Sequence, residues 1–180
     1  NGGTNRFLGA LANLPDYSPD QVGQIMAQDN VIPGLGDGGA HYGMICDSSY
    51  STFMLQHWGR QRDHGRLPVQ KIIRMLSAEP AEAIGLDDRG LLAVGLKADI
   101  NVIDFEHVRL HAPRVTHDLP AGGMRLDQRA EGYRYSFVSG KCIVRDGKPT
   151  GELPGKLIRL RLGTQSHQKV MDAARNTPAK

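Results

Sequence analysis

The order of apolar and polar positions divides the chain into a helical first half and a strand-rich second half. In YSPDQVGQIMAQDN, Val22, Ile25 and Met26 fall on one helical face. Ser18 is a good N-cap, Pro19 fits the first helical position, Gln21 completes a capping box, and Asp29 and Asn30 stop the helix. The apolar run Val31 to Gly36 follows at once, and helix into short strand is the αβ step of a parallel sheet. STFMLQHWGRQRDHG predicts a second helix. A third opens at Pro68, where Val69, Ile72, Ile73 and Leu76 repeat at i, i+3, i+4 and i+7. Ser77 caps a new short helix with Pro80 in its first turn, which ends at Gly85 with Leu86 folded back.

From Asp87 onward the period shortens. ADINVIDFE reads as a strand with Ile100 and Val102 on one face. In YRYSFVSGKCIVRDG, Tyr133, Tyr135 and Phe137 alternate with Arg134, Ser136 and Val138, and Ser139-Gly140 turns the chain into a returning strand at Cys142–Arg145. One or two hairpins are marginal in water, so this region must pack on something. The expected division is 1–86, mainly helical around one strand; 87–155, antiparallel strands; and 156–180, a tail.

Composition narrows the class. The 180 residues are 39% hydrophobic and 23% charged, which is globular and not disordered. No apolar stretch reaches the ~18 residues of a membrane span, and the first residues lack the basic start and apolar centre of a signal peptide. The chain starts without methionine, as it would if its beginning were missing. The net charge of +3 gathers in the tail at Lys156, Arg159, Arg161, Lys169, Arg175 and Lys180. With no aromatic residues interleaved to stack bases, a solvated tail is expected and no nucleic-acid partner. Cys46 and Cys142 form no CxxC pair, so both are expected as buried thiols in a reducing, cytoplasmic compartment.

The candidate chemistry lies in VIPGLGDGGAHYG. A lone acid, Asp37, ends the expected strand, and five of the residues from Gly34 to Gly43 are glycines. Reactive groups of parallel α/β sheets sit at the carboxyl ends of strands, and glycines let a substrate or a metal approach the main chain. A carboxylate there can hold a metal, take a proton from water, or both; equally it can cap the next turn. His41 can touch the same ligand or serve as a structural histidine. The seven histidines contain no HxH and no HExxH, and no cysteine stands at ligand spacing. His107 and His111 read as surface residues. If Asp37 is catalytic, its partner ligands lie outside these residues.

GLGDGGAH, followed by ICDSS, HWGRQRDHGRLPVQKIIRMLSAEPAEAIGLDDRG, LLAVGLKADINVIDFE and HDLPAGGMRLDQRAEGYRYSFVSGKCIVRDGKPTGELPG, resembles the C-terminal part of the amidohydrolase superfamily, in its D-aminoacylase or N-acyl-D-amino-acid deacylase branch. Two pieces carry most of the likeness. One is Gly90-x4-Gly95-x2-Ala98-Asp99 with Val102 and Asp104, similar to the strand by which such chains leave the barrel. The other is Val138-x-Gly140 with Gly147, similar to a closing hairpin.

The resemblance implies α/β plus β architecture: the last strand and helices of a metal-dependent (β/α)8 barrel, then the C-terminal part of a small β-sandwich. It implies a zinc-dependent hydrolase of linear amide C–N bonds acting on acylated D-amino acids, with Asp37 as catalytic residue and metal ligand and His41 as a substrate contact. A full barrel takes about 250 residues, so the rest would come from upstream residues or another chain, and the piece would be inactive alone. The family's arginine for the substrate carboxylate has no counterpart in HYGMICDSSYST; Arg60, Arg62 or Arg66 could stand in for it. Two alternatives remain: a non-catalytic shortened relative used for assembly or ligand binding, and a cyclic-amidase or deaminase member of the superfamily.

Overall fold

The computed structural model describes residues 18–29, 31–34 and 39–158. The first expected helix forms as α1 (Asp20–Met26). The Ser18 hydroxyl accepts the Asp20 amide at 3.2 Å, although Pro19 is the residue that directly precedes the helix. Met26 is buried and Val22 packs on the same core, but Ile25 is 53% exposed. So short a helix rests on one line of side chains, here positions i and i+4, and Ile25 falls beside that line.

The strand expected over Val31 to Gly36 is not seen. Val31 to Gly34 carry no strand pairing, and Leu35 and Gly36 lie outside the described residues. An apolar run becomes a strand only by sharing a hydrogen-bond ladder with a neighbour. Among the described residues, every strand lies at or after Ile100 and every pairing is antiparallel, so the parallel step is absent there.

The second helix begins as α2 (Tyr50–Phe53) and continues through a π-helical stretch, Met54–Gln61, which closes with the Arg62 amide on the His57 carbonyl at 3.2 Å. Met54, Leu55 and Trp58 are buried along it. α3 (Val69–Leu76) buries Ile72, as its periodicity marks, and Met75, which the repeat did not include, while Val69 and Leu76 pack partly buried beside them. α4 (Ala78–Ala83) ends as expected: Gly85 has φ +74°, its amide reaches the Glu82 carbonyl (3.1 Å), and the Leu86 amide reaches back to Ala81 (2.8 Å). Both bonds define a Schellman cap. Among the described residues no helix is long and apolar enough to cross a membrane.

His57 stacks on Phe53 (ring centroids 4.8 Å apart) and meets the edge of Trp58. Its Nε2 is buried without a hydrogen-bond partner. Burial first, and the Arg62 charge second, pull its pKa below the ordinary 6.5. A histidine that is depressed in the folded state binds its proton more readily when unfolded, so stability is full above pH 6.5 and declines as the pH falls toward the lowered value. Urea midpoints at pH 7 and pH 5 should therefore differ more for the wild type than for His57→Phe; equal differences would remove His57 as the cause.

The second half forms β1 (Ile100–Ile103), β2 (Arg109–Leu110), β3 (Arg114–Leu119), β4 (Gly123–Asp127), β5 (Ala130–Glu131), β6 (Tyr133–Val138), β7 (Lys141–Arg145) and β8 (Lys148–Pro149). The strand order β1-β6-β7-β8 makes one sheet, and β2-β5 and β3-β4 make two small ones. Ile100 faces Phe137 and Val102 faces Tyr135 across β1–β6. The β6–β7 hairpin turns at Ser139-Gly140, with φ +50° and +77° as a type I′ turn requires. Ser139 pays the strain of its positive φ with a bond from its amide to Asp99 Oδ1 (2.8 Å), and the Gly140 amide reaches the Ala98 carbonyl (2.9 Å). The two motifs that carried the likeness thus touch each other.

One core joins the halves. Val108, from the link between β1 and β2, is fully buried among Met54, Leu55, Trp58, Ile72 and Met75. The Arg60 guanidinium fastens this link from the π-helical side, donating to the carbonyls of Phe105, Glu106 (2.7 Å) and Val108 (2.5 Å). The Thr52 and Tyr133 hydroxyls, 2.7 Å apart, tie α2 to β6.

Candidate active site

Asp37 lies outside the described residues, and Gly39, two positions along, is where the chain is described again. His41 is exposed with φ +49°. Its carbonyl accepts the amides of Met44 (2.7 Å) and Ile45 (3.1 Å), so its backbone organises the turn that leads to α2. A positive φ is uncommon for a residue with a side chain, though histidine is among those enriched there.

Strand β4 lies against this turn. The Leu126 amide donates to the Tyr42 carbonyl at 2.7 Å, and the Met124 side chain comes up to Gly43. Between the two elements is a cavity of about 290 Å³ whose walls include Gly39, Tyr42, Cys46 and Ser49 on one side and Arg125 and Gln128 on the other. The Ser49 hydroxyl donates to Gln128 Oε1 (2.5 Å), and Gln128 Nε2 donates to the His111 carbonyl (2.9 Å). With both ends of its amide engaged, Gln128 has a fixed orientation.

The charged side chains on the cavity wall, Arg125 and Asp127, both come from β4 of the β3–β4 hairpin. Arg125 makes a two-pronged pair with Asp118, at 2.8 Å on each arm, and its third nitrogen stands 3.4 Å from Asp127. Arg114 (2.9 Å) and Arg129 (3.3 Å) meet the same Asp127 carboxylate. The hydrogen bond from Arg125 holds Asp118 below the ordinary carboxylate value. For Asp127 burial is the largest influence and acts upward, yet the bonds from Arg114 and Arg129 and the arginine charges together outweigh it, so it too lies low. Burial, with help from Asp47, pushes the Cys46 thiol up. That thiol stays protonated near neutrality and is a poor nucleophile. Cys46 and Cys142 are free and half-buried, where full burial was expected: Cys46 lines the cavity and Cys142 lies in β7.

The three arginines that could have stood near the substrate are engaged elsewhere. Arg60 fastens the β1–β2 link, Arg62 pairs with Asp20 and lies over the Trp58 ring, and Arg66 Nε donates to the Arg62 carbonyl at 3.2 Å. The arginine that does line the cavity, Arg125, comes from a hairpin that sequence reasoning missed. Its signal was Pro120-Ala121-Gly122-Gly123 between two short alternating runs. His107 and His111 pair with Asp104 (2.8 Å) and Glu131 (2.9 Å). No group of three or more His, Cys, Asp or Glu able to hold a metal exists among the described residues, so these residues do not by themselves fit a zinc centre.

A model described as "Amidohydrolase family" matches residues 3–144. An N-acyl-D-glutamate deacylase of Alcaligenes xylosoxydans xylosoxydans is 33% identical over 98 residues, which cover 54% of this chain and 18% of that protein. A dihydroorotase of Methanothermobacter thermautotrophicus is 33% identical over 88 residues, 47% of this chain and 20% of that protein. A 5-methylthioadenosine/S-adenosylhomocysteine deaminase of Desulfitobacterium hafniense is 25% identical over 140 residues, 72% of this chain and 32% of that protein. The chain therefore spans about a fifth to a third of the length of these relatives. No solved structure matches it.

Proposed function

The chain belongs to the amidohydrolase family, and from that premise we propose that it is the C-terminal part of a metal-dependent hydrolase of linear amide C–N bonds, with N-acyl-D-amino acids as its substrate class. The observation that carries the reading is the family match over residues 3–144, which takes in the glycine-stripped stretch around Asp37. The similarity to an N-acyl-D-glutamate deacylase supports the linear-amide reading, and the equal identity to a dihydroorotase keeps a cyclic amide as the second one.

In this reading Asp37 takes a proton from the attacking water and returns it to the leaving nitrogen as the C–N bond breaks, so amide and water become carboxylate and amine. A carboxylate also suits a metal. Asp37 is the ligand assigned to this chain; the others would come from the rest of a (β/α)8 barrel, supplied upstream or by another chain. His41, four residues along the chain from Asp37, is assigned to the substrate.

The test is a substrate panel on the complete enzyme, this chain together with the rest of its barrel, with its metal content measured: N-acetyl-D-amino acids, dihydroorotate and an adenosine derivative. Turnover of the acylated D-amino acids, abolished by a chelator and restored by zinc, is the expected result. Turnover confined to the cyclic amide or the nucleoside would move the protein to another branch. No turnover and no bound metal would favour a non-catalytic relative.

A further inference from the structure

His41 keeps a left-handed backbone, with φ +49°, and such a conformation persists only where the surroundings over-determine it. Part of that support comes from the turn itself, since the His41 carbonyl accepts the amides of Met44 and Ile45. Those two bonds fix the shape of the turn but not its direction. The direction is set by β4. Among the described residues β4 pairs with a single strand, β3, and its other edge faces the turn. The Leu126 amide on that edge donates to the Tyr42 carbonyl at 2.7 Å. The Met124 methyl lies against Gly43, 3.4 Å from where a Cβ would stand. Tyr42 and Gly43 are the two residues directly after His41, so both contacts fall next to it.

β4 is firm enough to act as a brace. Arg125 pairs with Asp118 across the hairpin, at 2.8 Å on each arm. Just past the strand, Gln128 bonds Ser49 (2.5 Å) ahead of α2 and the His111 carbonyl (2.9 Å) after β2. The turn therefore runs between two anchored elements that lie far apart in the sequence.

We propose that β4 positions His41 for the substrate, with Met124 as the positioning residue. The inference rests on the assignment of His41 in the hydrolase reading and adds to it a residue from the strand-rich half. A contact oriented before the substrate arrives gives affinity without a further ordering cost. A turn shaped only by its own bonds would not hold that orientation.

In the complete enzyme, hydrogen exchange at the Met44 and Ile45 amides, which report the His41 turn, should quicken roughly tenfold in Met124→Ala and return to the wild-type rate in Met124→Leu, with Ile72 in α3 unchanged. Unchanged exchange at Met44 and Ile45, or an equal rise at Ile72, would overturn the proposal. Kinetics read the consequence. Met124→Ala should raise KM for N-acetyl-D-amino acids about 5- to 10-fold with kcat nearly unchanged, the mark of lost uniform binding. Asparagine tolerates the left-handed region, so His41→Asn removes the imidazole and keeps the turn. In that background Met124→Ala should change KM by less than about twofold. An undiminished effect there would show that the methionine does not act through His41, and would sink the proposal. Quickened exchange confined to the turn, in an enzyme that hydrolyses no acylated amino acid, upholds the brace and leaves only the hydrolase reading to fail.

Discussion

Asp37→Asn is expected to lower kcat by about 10³-fold or more in the complete, metal-loaded enzyme, with the unfolding midpoint unchanged. The amide has the shape of the acid but accepts no proton near neutrality and carries no charge. A positioned general base contributes about 10²–10⁴ in rate, and a lost carboxylate ligand weakens the hold on a metal as well. Both losses fall on one residue in the proposed mechanism, so the effect should exceed that of any other single substitution in the Gly34–Gly43 stretch. The measurement is kcat at saturating N-acetyl-D-amino acid, with zinc content and thermal unfolding followed in parallel. Turnover within a few-fold of wild type would defeat the assignment of Asp37. A large fall in the unfolding midpoint would instead return Asp37 to the role of a turn cap.

The second large effect is on folding. Gly132→Ala should cost about 3 kcal/mol or more, and should be the most damaging single-methyl addition in the strand-rich half. A Cβ at this position would lie 2.6 Å from Val108 Cα and 2.8 Å from Val108 N, against backbone that cannot swing aside. Val108 is fully buried, and the Phe105–Val108 link is fastened by Arg60. The Gly132 carbonyl also accepts the Asp104 amide at 2.8 Å, so the chain cannot retreat without losing that bond. With φ at +93°, conformational strain of about 1–2 kcal/mol adds to an overpacking cost of about 1–3 kcal/mol. Gly85→Ala is the control. Its φ is +74°, but nothing stands within 4 Å of the added carbon, so it carries the strain alone, about 1 kcal/mol. Urea unfolding followed by the fluorescence of the single tryptophan, Trp58, reads both. Equal losses at the two glycines would show that the contact with Val108 contributes nothing.

Much of the local architecture was legible along the chain. The repeat Val69, Ile72, Ile73, Leu76 marked α3, and Gly85 with Leu86 marked its neighbour's Schellman end. The alternation from Tyr133 to Phe137 and the Ser139-Gly140 turn marked the β6–β7 hairpin. These features depend on the geometry of a few consecutive residues, which is the same wherever the segment sits. Ile73 shows the limit, because it repeats at the right interval yet remains 42% exposed. The β3–β4 hairpin was missed because its strands lie half in solvent and carry as many charged as apolar side chains. The π-helical turn at Met54–Gln61 left no pattern that distinguishes it from an α-helix.

The chain itself determined the helical segments, the β6–β7 hairpin and where one acid is surrounded by glycines. Those are consequences of side-chain period, backbone freedom and hydrogen bonding within reach of a turn or two. Tertiary structure alone decided that Val108 joins the helical core, that Arg60 is spent on carbonyl groups 45 or more residues away, and that Arg125 reaches the cavity beside the Gly39–Cys46 turn. Each depends on which surfaces meet, and a long-range contact between a guanidinium and a carbonyl or carboxylate leaves no trace in the spacing of the residues that make it.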